Sequence, residues 1–165
     1  MTKSNPLLRT SFFAKLALLT ILAFAAGSSV YAKETTAAAQ EALEITVYSS
    51  PTCSCCHRWI EVLEKDGFKV SSHSSDDMNS VKQSFGLKPH LASCHTATIG
   101  GYVIEGHVPA ADIRRLLKEK PQTVGLTAPG MPRHSPGMQA PGEQPKGYDV
   151  LSFDRDGNTT VFTKY

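Results

Sequence analysis

Three absences narrow the classes of function open to this chain of 165 residues. After the N-terminal region, no segment is apolar enough to span a bilayer, which takes about 20 residues. The net charge is only +2, so the chain has no basic surface of the kind that binds nucleic acid. The acidic residues show no pairing that suggests hydrolysis. The length predicts one domain.

The N-terminal region has the composition of a secretory signal. Three basic residues are followed by an apolar run over residues 16–26, and small residues then lead to Ala32. This pattern predicts export to the periplasm with cleavage after Ala32. The run is short for a membrane span, which favours cleavage over an uncleaved anchor. Loss of residues 1–32 changes the formal charge from +2 to −1, because they contain three basic and no acidic residues.

The remaining chain predicts one α/β domain over residues 44–165, preceded by a flexible lead-in at residues 33–43. Runs of β-branched and aromatic residues predict strands at residues 44–50 and 68–74 and a hairpin over residues 96–106. Helical patterns begin near Cys56, at Asp76 or Asp77, and at Pro109. The order β-α-β-α-β-β-α is that of a thioredoxin-like fold. The cysteine-rich stretch then lies between the first strand and the first helix.

The C-terminal third has a different composition. Five prolines and five glycines interrupt residues 122–147, which predicts a Pro/Gly/Met-rich loop without regular elements. The triplet Pro-Gly-Met occurs in it twice, ending at Met131 and at Met138, with His134 between them. Residues 148–165 predict a C-terminal β-hairpin around the turn "DRDGN".

The stretch "PTCSCCHRW" places Cys53, Cys55 and Cys56 within four positions. Cys53 and Cys56 have the C-x-x-C spacing that indicates disulfide exchange at the start of a thioredoxin-type helix. Cys55 offers competing disulfides, which argues against simple exchange. A structural disulfide is also disfavoured, because it would close a very short loop and gain little stability. The motif is therefore either a modified redox centre or a cluster of soft metal ligands.

Cys94 and His95 are expected to face this motif. Ile99, Gly100 and Gly101 resemble the glutaredoxin-like segment in which a cis-proline lies opposite the C-x-x-C pair. When these residues are aligned with that segment, His95 occupies the position of the proline and Cys94 directly precedes it. A fourth thiol and an imidazole would then converge on the other three thiols, and ordinary dithiol exchange becomes less favoured.

Four thiolates with nearby imidazoles suggest zinc, an iron–sulfur cluster or Cu(I). Zinc ligands usually come from two spaced pairs, and adjacent cysteines strain a tetrahedral site. A cluster assembled inside the cell would need folded export, but the signal lacks a twin arginine. Cu(I) accepts both thiolate and thioether, and four thiolates could hold more than one ion. We therefore predict a copper site with the candidate ligands Cys53, Cys55, Cys56, Cys94, His95, Met131, His134 and Met138.

These motifs together resemble a known family. "PTCSCCHRW", "SCHTA", "GYVIEGHVP" and "GLTAPGMPRHSPGM" are similar to the CopG-type periplasmic proteins of copper-resistance gene clusters, a family catalogued as a domain of unknown function. The resemblance covers about Ile45 to Tyr165. It implies a thioredoxin-like fold, copper binding and a role in copper handling. The expected partners are copper ions and periplasmic copper efflux or carrier proteins.

Two rival functions remain open at the level of sequence. One is a thiol–disulfide oxidoreductase, against which the extra Cys55 and the imidazole of His95 argue. The other is a disulfide-stapled accessory domain without metal, which leaves the methionines of the loop unexplained. The sequence assigns no role to His57, which follows the cysteines, or to His107, which precedes the third helix.

Overall fold

The computed structural model describes residues 43–165. The expected signal at residues 1–32 and nearly all of the expected lead-in lie outside the described residues, so both stay predictions. Leu43, which the sequence assigned to the lead-in, is the first residue of the first strand.

The described residues form a mixed α/β fold, as predicted. The first seven elements of regular α or β structure confirm the predicted order β-α-β-α-β-β-α. Within residues 43–165, no helix is both long and apolar enough to cross a membrane. In chain order, the elements are β1 (Leu43–Ser49), α1 (Ser54–Lys65), β2 (Phe68–Ser74), α2 (Met78–Ser84), a 3₁₀ turn (Pro89–Leu91), β3 (His95–Ile99), β4 (Tyr102–Glu105), α3 (Ala110–Glu119), β5 (Gly125–Thr127), β6 (Asp149–Phe153) and β7 (Thr159–Lys164).

The sheet topology brings the two cysteine-bearing segments together. The seven strands lie in the order β2-β1-β3-β4-β5-β6-β7. Strand β1 runs antiparallel to β3, and its last residue, Ser49, pairs with His95, the first residue of β3. The chain therefore leaves β1 toward the cysteine motif at the same edge of the sheet where it enters β3 from Cys94.

The hydrophobic core lies between the sheet and the helices. Ile45 and Val47 alternate along β1 toward the buried face, while Trp59 and Leu63 lie one turn apart on the buried face of α1. Trp59 is fully buried, and its Nε1 donates to the carbonyl oxygen of Val108 at 2.9 Å. Burying a large apolar side chain of this kind contributes about 1.5–3 kcal/mol.

Capping residues explain where the first two helices begin and end. Asp77, one of two predicted candidates, caps α2: its carboxylate accepts from the backbone N–H of Ser80 at 3.0 Å. Gly67 follows the end of α1 in a left-handed conformation, with φ of 82°. α1 itself begins at the cysteine motif, where Cys53 is the N-cap residue and makes no side-chain capping hydrogen bond.

Strand β5 corrects the expectation that residues 122–147 contain no regular element. It pairs with β4 in parallel and with β6 in antiparallel orientation, and so joins the predicted C-terminal hairpin to the sheet. Gly125 permits the approach, because a Cβ there would collide with the backbone of Val103. The strand has three residues and its partners are distant in sequence, so no local pattern reveals it.

Candidate metal centre

The cysteine motif occupies the N-terminus of α1. Cys53 is the N-cap residue, and Cys55 and Cys56 lie in the first turn. The first backbone N–H groups of a helix lack intrahelical partners and favour negative charge, including thiolate, beside them. Cys56 is buried, whereas Cys53 and Cys55 are partly exposed. The motif is therefore reachable from the surface at a position that favours thiolates.

The structure contains a disulfide between Cys53 and Cys56. Cys55 and Cys94 are free thiols. The C-x-x-C spacing indicates this pairing, although the short loop disfavours a purely structural disulfide. The helix geometry accounts for it, since one helical turn brings the Cα atoms of Cys53 and Cys56 to 5.3 Å, within the usual range for a disulfide.

Cys94 faces the motif across a sequence separation of 39 residues from Cys55. The Sγ of Cys55 lies 3.5 Å from the Sγ of Cys53 and 3.9 Å from the Sγ of Cys94. All four sulfur atoms lie within 4.8 Å of one another. The antiparallel pairing of β1 with β3 produces this convergence, because it places the residue before β3 beside the start of α1.

His107 was left unassigned by the sequence, yet it contacts Cys94. Its Nε2 lies 3.0 Å from the Sγ of Cys94, and its Nδ1 lies 2.8 Å from the carbonyl oxygen of Pro136. A carbonyl can only accept, so Nδ1 carries the hydrogen and Nε2 presents its lone pair to the sulfur. One sequence signal could have identified His107. Cys94 lies just before the predicted hairpin and His107 directly after it, and the two ends of a hairpin lie side by side.

His95 lies on the other side of Cys94 and is fully buried. Its Nδ1 is 3.3 Å from the Sγ of Cys94, and its ring lies 4.3 Å from that of Trp59 and 4.9 Å from that of His107, centroid to centroid. Cys94, His95 and His107 form a second group whose potential ligand atoms lie within 4.8 Å of one another. Cys94 belongs to both groups and so links the sulfur cluster to the two imidazoles.

Burial determines the protonation of these groups. Loss of hydration, followed by repulsion from Cys55, raises the pKa of the Cys94 thiol to about 12. Burial also lowers the pKa of His107, and it lowers the pKa of His95 well below its ordinary value, with His107 adding to the effect. At neutral pH the metal-free centre therefore holds a protonated Cys94 and neutral imidazoles. A cation that binds the Cys94 sulfur displaces its proton.

The Pro/Gly/Met-rich loop is attached at the edge of this centre. Ser93 Oγ donates to the carbonyl oxygen of Gly130, and Arg58 Nε donates to that of Gly137 at 2.7 Å. Together with the bond from His107 to Pro136, these contacts fasten the loop to α1 and to the segment before β3. The loop thus covers one side of the cysteine cluster.

The predicted loop ligands occupy three different environments. Met131 is 59% exposed, and Met138 is partly buried next to the anchored Gly137. His134 pairs with Glu143, its Nδ1 lying 3.1 Å from a carboxylate oxygen. Among the described residues, His134 belongs to neither group of converging ligand atoms. His57, which the sequence left unassigned, is exposed on the first turn of α1.

A buried polar network behind Cys94 was also missed by sequence reasoning. Glu105 is fully buried and accepts from Lys82 Nζ at 2.6 Å and from the backbone N–H of Ser93 at 2.6 Å. Thr96 Oγ1 donates to its second carboxylate oxygen at 2.7 Å. Burial raises the pKa of Glu105, and the charge of Lys82 opposes that rise. The partners come from different elements, so no local sequence pattern indicates the network.

Two solved structures share this arrangement of elements. They are two forms of a protein titled "Copper resistance protein copG", and each is 44% identical in sequence to this chain. The matches cover 76% of this chain and 99% and 98% of those chains, with TM-scores of 0.70 and 0.69. The chain belongs to the CopG family.

A second comparison supports the same assignment. Residues 91–138 match the family described as "Protein of unknown function, DUF411". In this chain that span begins just before Cys94 and ends at Met138, so it includes both imidazoles beside Cys94 and residues 122–138 of the loop that covers them. No curated protein matches the chain. The resemblance to the CopG family that the sequence motifs indicated is thereby confirmed.

Proposed function

We propose that this protein binds copper, as Cu(I), in copper resistance. The observation that carries the proposal is the convergence of four cysteine sulfurs, all within 4.8 Å of one another. The titles of the two related structures support copper as the metal, since both name a copper resistance protein. The thiolate ligands are Cys53, Cys55, Cys56 and Cys94.

The chemistry of the ligands favours Cu(I) over harder cations. Thiolates are soft ligands, and sulfur bridges Cu(I) ions readily. Adjacent Cys55 and Cys56 fit a sulfur-bridged centre better than a single tetrahedral zinc, and four thiolates have the capacity for more than one Cu(I). His95 and His107 supply imidazole nitrogens beside Cys94, and Met131, His134 and Met138 are further ligands on the covering loop.

The oxidation state of the cysteines controls binding. The disulfide between Cys53 and Cys56 withholds two of the four sulfurs. An external dithiol reductant supplies the two electrons and two protons that convert it to two thiols and is itself oxidised to a disulfide; the two thiols lose their protons when copper binds. Reduced protein therefore binds copper with four thiolates, and oxidised protein retains only Cys55 and Cys94. Cycling between Cu(I) and Cu(II) at the same centre would use the same sulfurs.

The protein works in the periplasm, in our proposal, after removal of residues 1–32. There it takes up copper ions and exchanges them with copper efflux or carrier proteins. The partly exposed Cys53 and Cys55 give such partners access to the cluster.

A competition experiment tests the proposal. The fully reduced protein should hold Cu(I) against a calibrated Cu(I) chelator and should take up Zn(II) far more weakly. Thiols and metals are counted on the same anaerobic sample, and the oxidised protein with its disulfide intact serves as the control. Protein that loses copper to a weak chelator but retains zinc would overturn the assignment of the metal.

A second candidate is a thiol–disulfide oxidoreductase, favoured by the disulfide at the start of α1. The imidazole of His95 at the expected proline position argues against it. Turbidimetric reduction of insulin separates the two functions. We expect the reduced protein to reduce insulin poorly. Rapid insulin reduction that added copper abolishes, together with weak Cu(I) affinity in the competition assay, would favour the oxidoreductase.

A further inference from the structure

A buried ion pair behind Cys94 has no role in the function proposed above. Glu105, the last residue of β4, is fully buried, and the side chain of Lys82 on α2 is only 11% exposed. Their closest atoms are 2.6 Å apart. Neither residue belongs to the two groups of converging ligand atoms among the described residues.

Stability alone explains this pair poorly. Removing two charges from water costs several kcal/mol per ion, which their attraction offsets only when the geometry is favourable. Well-packed apolar residues at such positions are often as stabilising or more so. The further partners of the carboxylate therefore indicate what the pair contributes.

The decisive partner is the backbone N–H of Ser93, which donates to Glu105 Oε1 at 2.6 Å. Ser93 immediately precedes Cys94 in the chain. Its hydroxyl donates to the carbonyl oxygen of Gly130 in the covering loop. Ser93 is thus held on one side by the sheet and on the other by the loop. Both contacts act on the residue directly before Cys94.

Cys94 is the cysteine whose position needs such support. The other three cysteines share one turn of α1 and its cap, so the helix fixes their spacing. Cys94 lies outside the regular elements, directly before β3. Its sulfur must nevertheless lie within reach of Cys55, at 3.9 Å, and of His107, at 3.0 Å.

We propose that Glu105 is a positioning residue for the copper centre. Its carboxylate, balanced by Lys82, binds the N–H of Ser93 and thereby fixes the Cys94 sulfur between the helix-borne cysteines and His107. The inference rests on the proposed copper-binding function and adds to it a determinant that lies outside the set of ligands.

Two double variants separate positioning from charge. Lys82→Met/Glu105→Gln removes both charges but keeps an oxygen that accepts from Ser93. Lys82→Met/Glu105→Met removes both charges and the acceptor. The methionine variant should bind Cu(I) at least about tenfold more weakly than the glutamine variant, since loss of a hydrogen-bond partner behind a metal ligand typically costs 10–100-fold in affinity. The glutamine variant should bind within about threefold of wild type.

A background lacking Cys94 tests whether the effect passes through that residue. In Cys94→Ser protein, the glutamine and methionine variants should bind Cu(I) equally, because Glu105 then has no sulfur to position. An equal loss of affinity in the presence and absence of Cys94 would overturn the proposal. Equal affinity of the two double variants with Cys94 present would also overturn it.

Alkylation of the Cys94 thiol provides a readout that needs no copper. With the Cys53–Cys56 disulfide intact, Cys94 should react with iodoacetamide severalfold faster in the methionine variant than in the glutamine variant. If wild-type protein holds no Cu(I), the proposed function is wrong, and this rate alone decides the positioning role. Should the methionine variant fail to fold, Glu105→Asp keeps the charge but shortens the side chain by one methylene group, which withdraws the carboxylate from the N–H of Ser93, and it should show the same changes.

Discussion

His107 presents its Nε2 to the Sγ of Cys94 at 3.0 Å while Pro136 holds its Nδ1 at 2.8 Å. The carbonyl of Pro136 selects the tautomer in which Nε2 carries a lone pair. A ligand fixed in this way loses little freedom on binding, and such partners of histidine ligands strengthen metal sites. The covering loop therefore contributes to the centre through its backbone, by way of the carbonyl of Pro136.

Replacing His107 should weaken copper binding. We expect His107→Ala to lower Cu(I) affinity about tenfold or more, because it removes a pre-oriented imidazole beside Cys94. Chelator competition on the reduced protein measures the change. His57→Ala is the matched control, since His57 is an exposed imidazole on α1, and it should bind like wild type. Equal losses in both variants would contradict the role of His107.

Cys94 and Cys55 should contribute similarly to Cu(I) binding. Their sulfurs are 3.9 Å apart and both belong to the group of four. We expect Cys94→Ser and Cys55→Ser to reduce the number of bound Cu(I) ions, or the affinity, by similar factors. Metal-to-protein ratios after anaerobic loading measure this. A Cys94→Ser protein that binds copper like wild type would show that the three helix-borne cysteines suffice.

Displacing the loop should weaken the centre without changing any ligand. A Cβ on Gly137 would lie 2.7 Å from the backbone nitrogen of Trp59, so Gly137→Ala should push the loop away from α1 and from His107. Copper affinity and thermal stability should both fall. Gly142→Ala is the matched control, because Gly142 also has a positive φ, of 83°, but open space around its Cα.

The two glycine variants therefore share the backbone strain and differ in the collision. We expect Gly142→Ala to lose about 1 kcal/mol of stability and to retain wild-type copper affinity. If Gly137→Ala also retained wild-type affinity, the contact of the loop with α1 would be irrelevant to the centre.

Asp77 should contribute to the free energy of unfolding in a way that is lost in acid. The hydroxyl and the backbone N–H of Ser80 donate to its carboxylate and lower its pKa below the ordinary value of 3.8. The unfolded chain then binds the proton more readily, so the stabilisation is present above that value and is lost as pH falls through the lower folded pKa. Urea unfolding between about pH 5 and pH 2 measures it.

Asp77→Asn is the control for this effect, because asparagine caps helices about as well as aspartate but does not titrate. The variant should lose less stability than wild type on acidification over the same range. If the free energy of unfolding fell equally with pH in the two proteins, the carboxylate of Asp77 would not be the titrating group.

Much of the fold could be predicted because its signals are local. The strand at residues 68–74 was predicted with its observed bounds, and a hairpin was predicted over residues 96–106, where β3 and β4 pair. The start of α1 inside the cysteine motif followed from the helical pattern that begins near Cys56. Strand β5 was missed, since a three-residue strand has no period of its own and its partners lie far away in sequence.

In the candidate site, too, the local features could be predicted from the sequence and the contacts between distant residues could not. The motif at residues 53–56 and the register of Cys94 with His95 were visible in the sequence, and the structure brings all four sulfurs together. The contact of His107 with Cys94 and the support of Ser93 by Glu105 were not visible. Each joins residues on different elements, and the approach of their side chains depends on the order of the strands and the path of the loop.

The order of elements and the placement of three thiols at a helix start can be derived from the sequence, because periodicity, caps and turns act over a few residues. Which imidazole faces Cys94, which carbonyl selects its tautomer and which buried carboxylate accepts from the preceding N–H became known from the folded chain. These contacts depend on strand pairing across more than ten residues of chain. Local preferences of the backbone do not encode that pairing; burial of the whole sheet against its helices does.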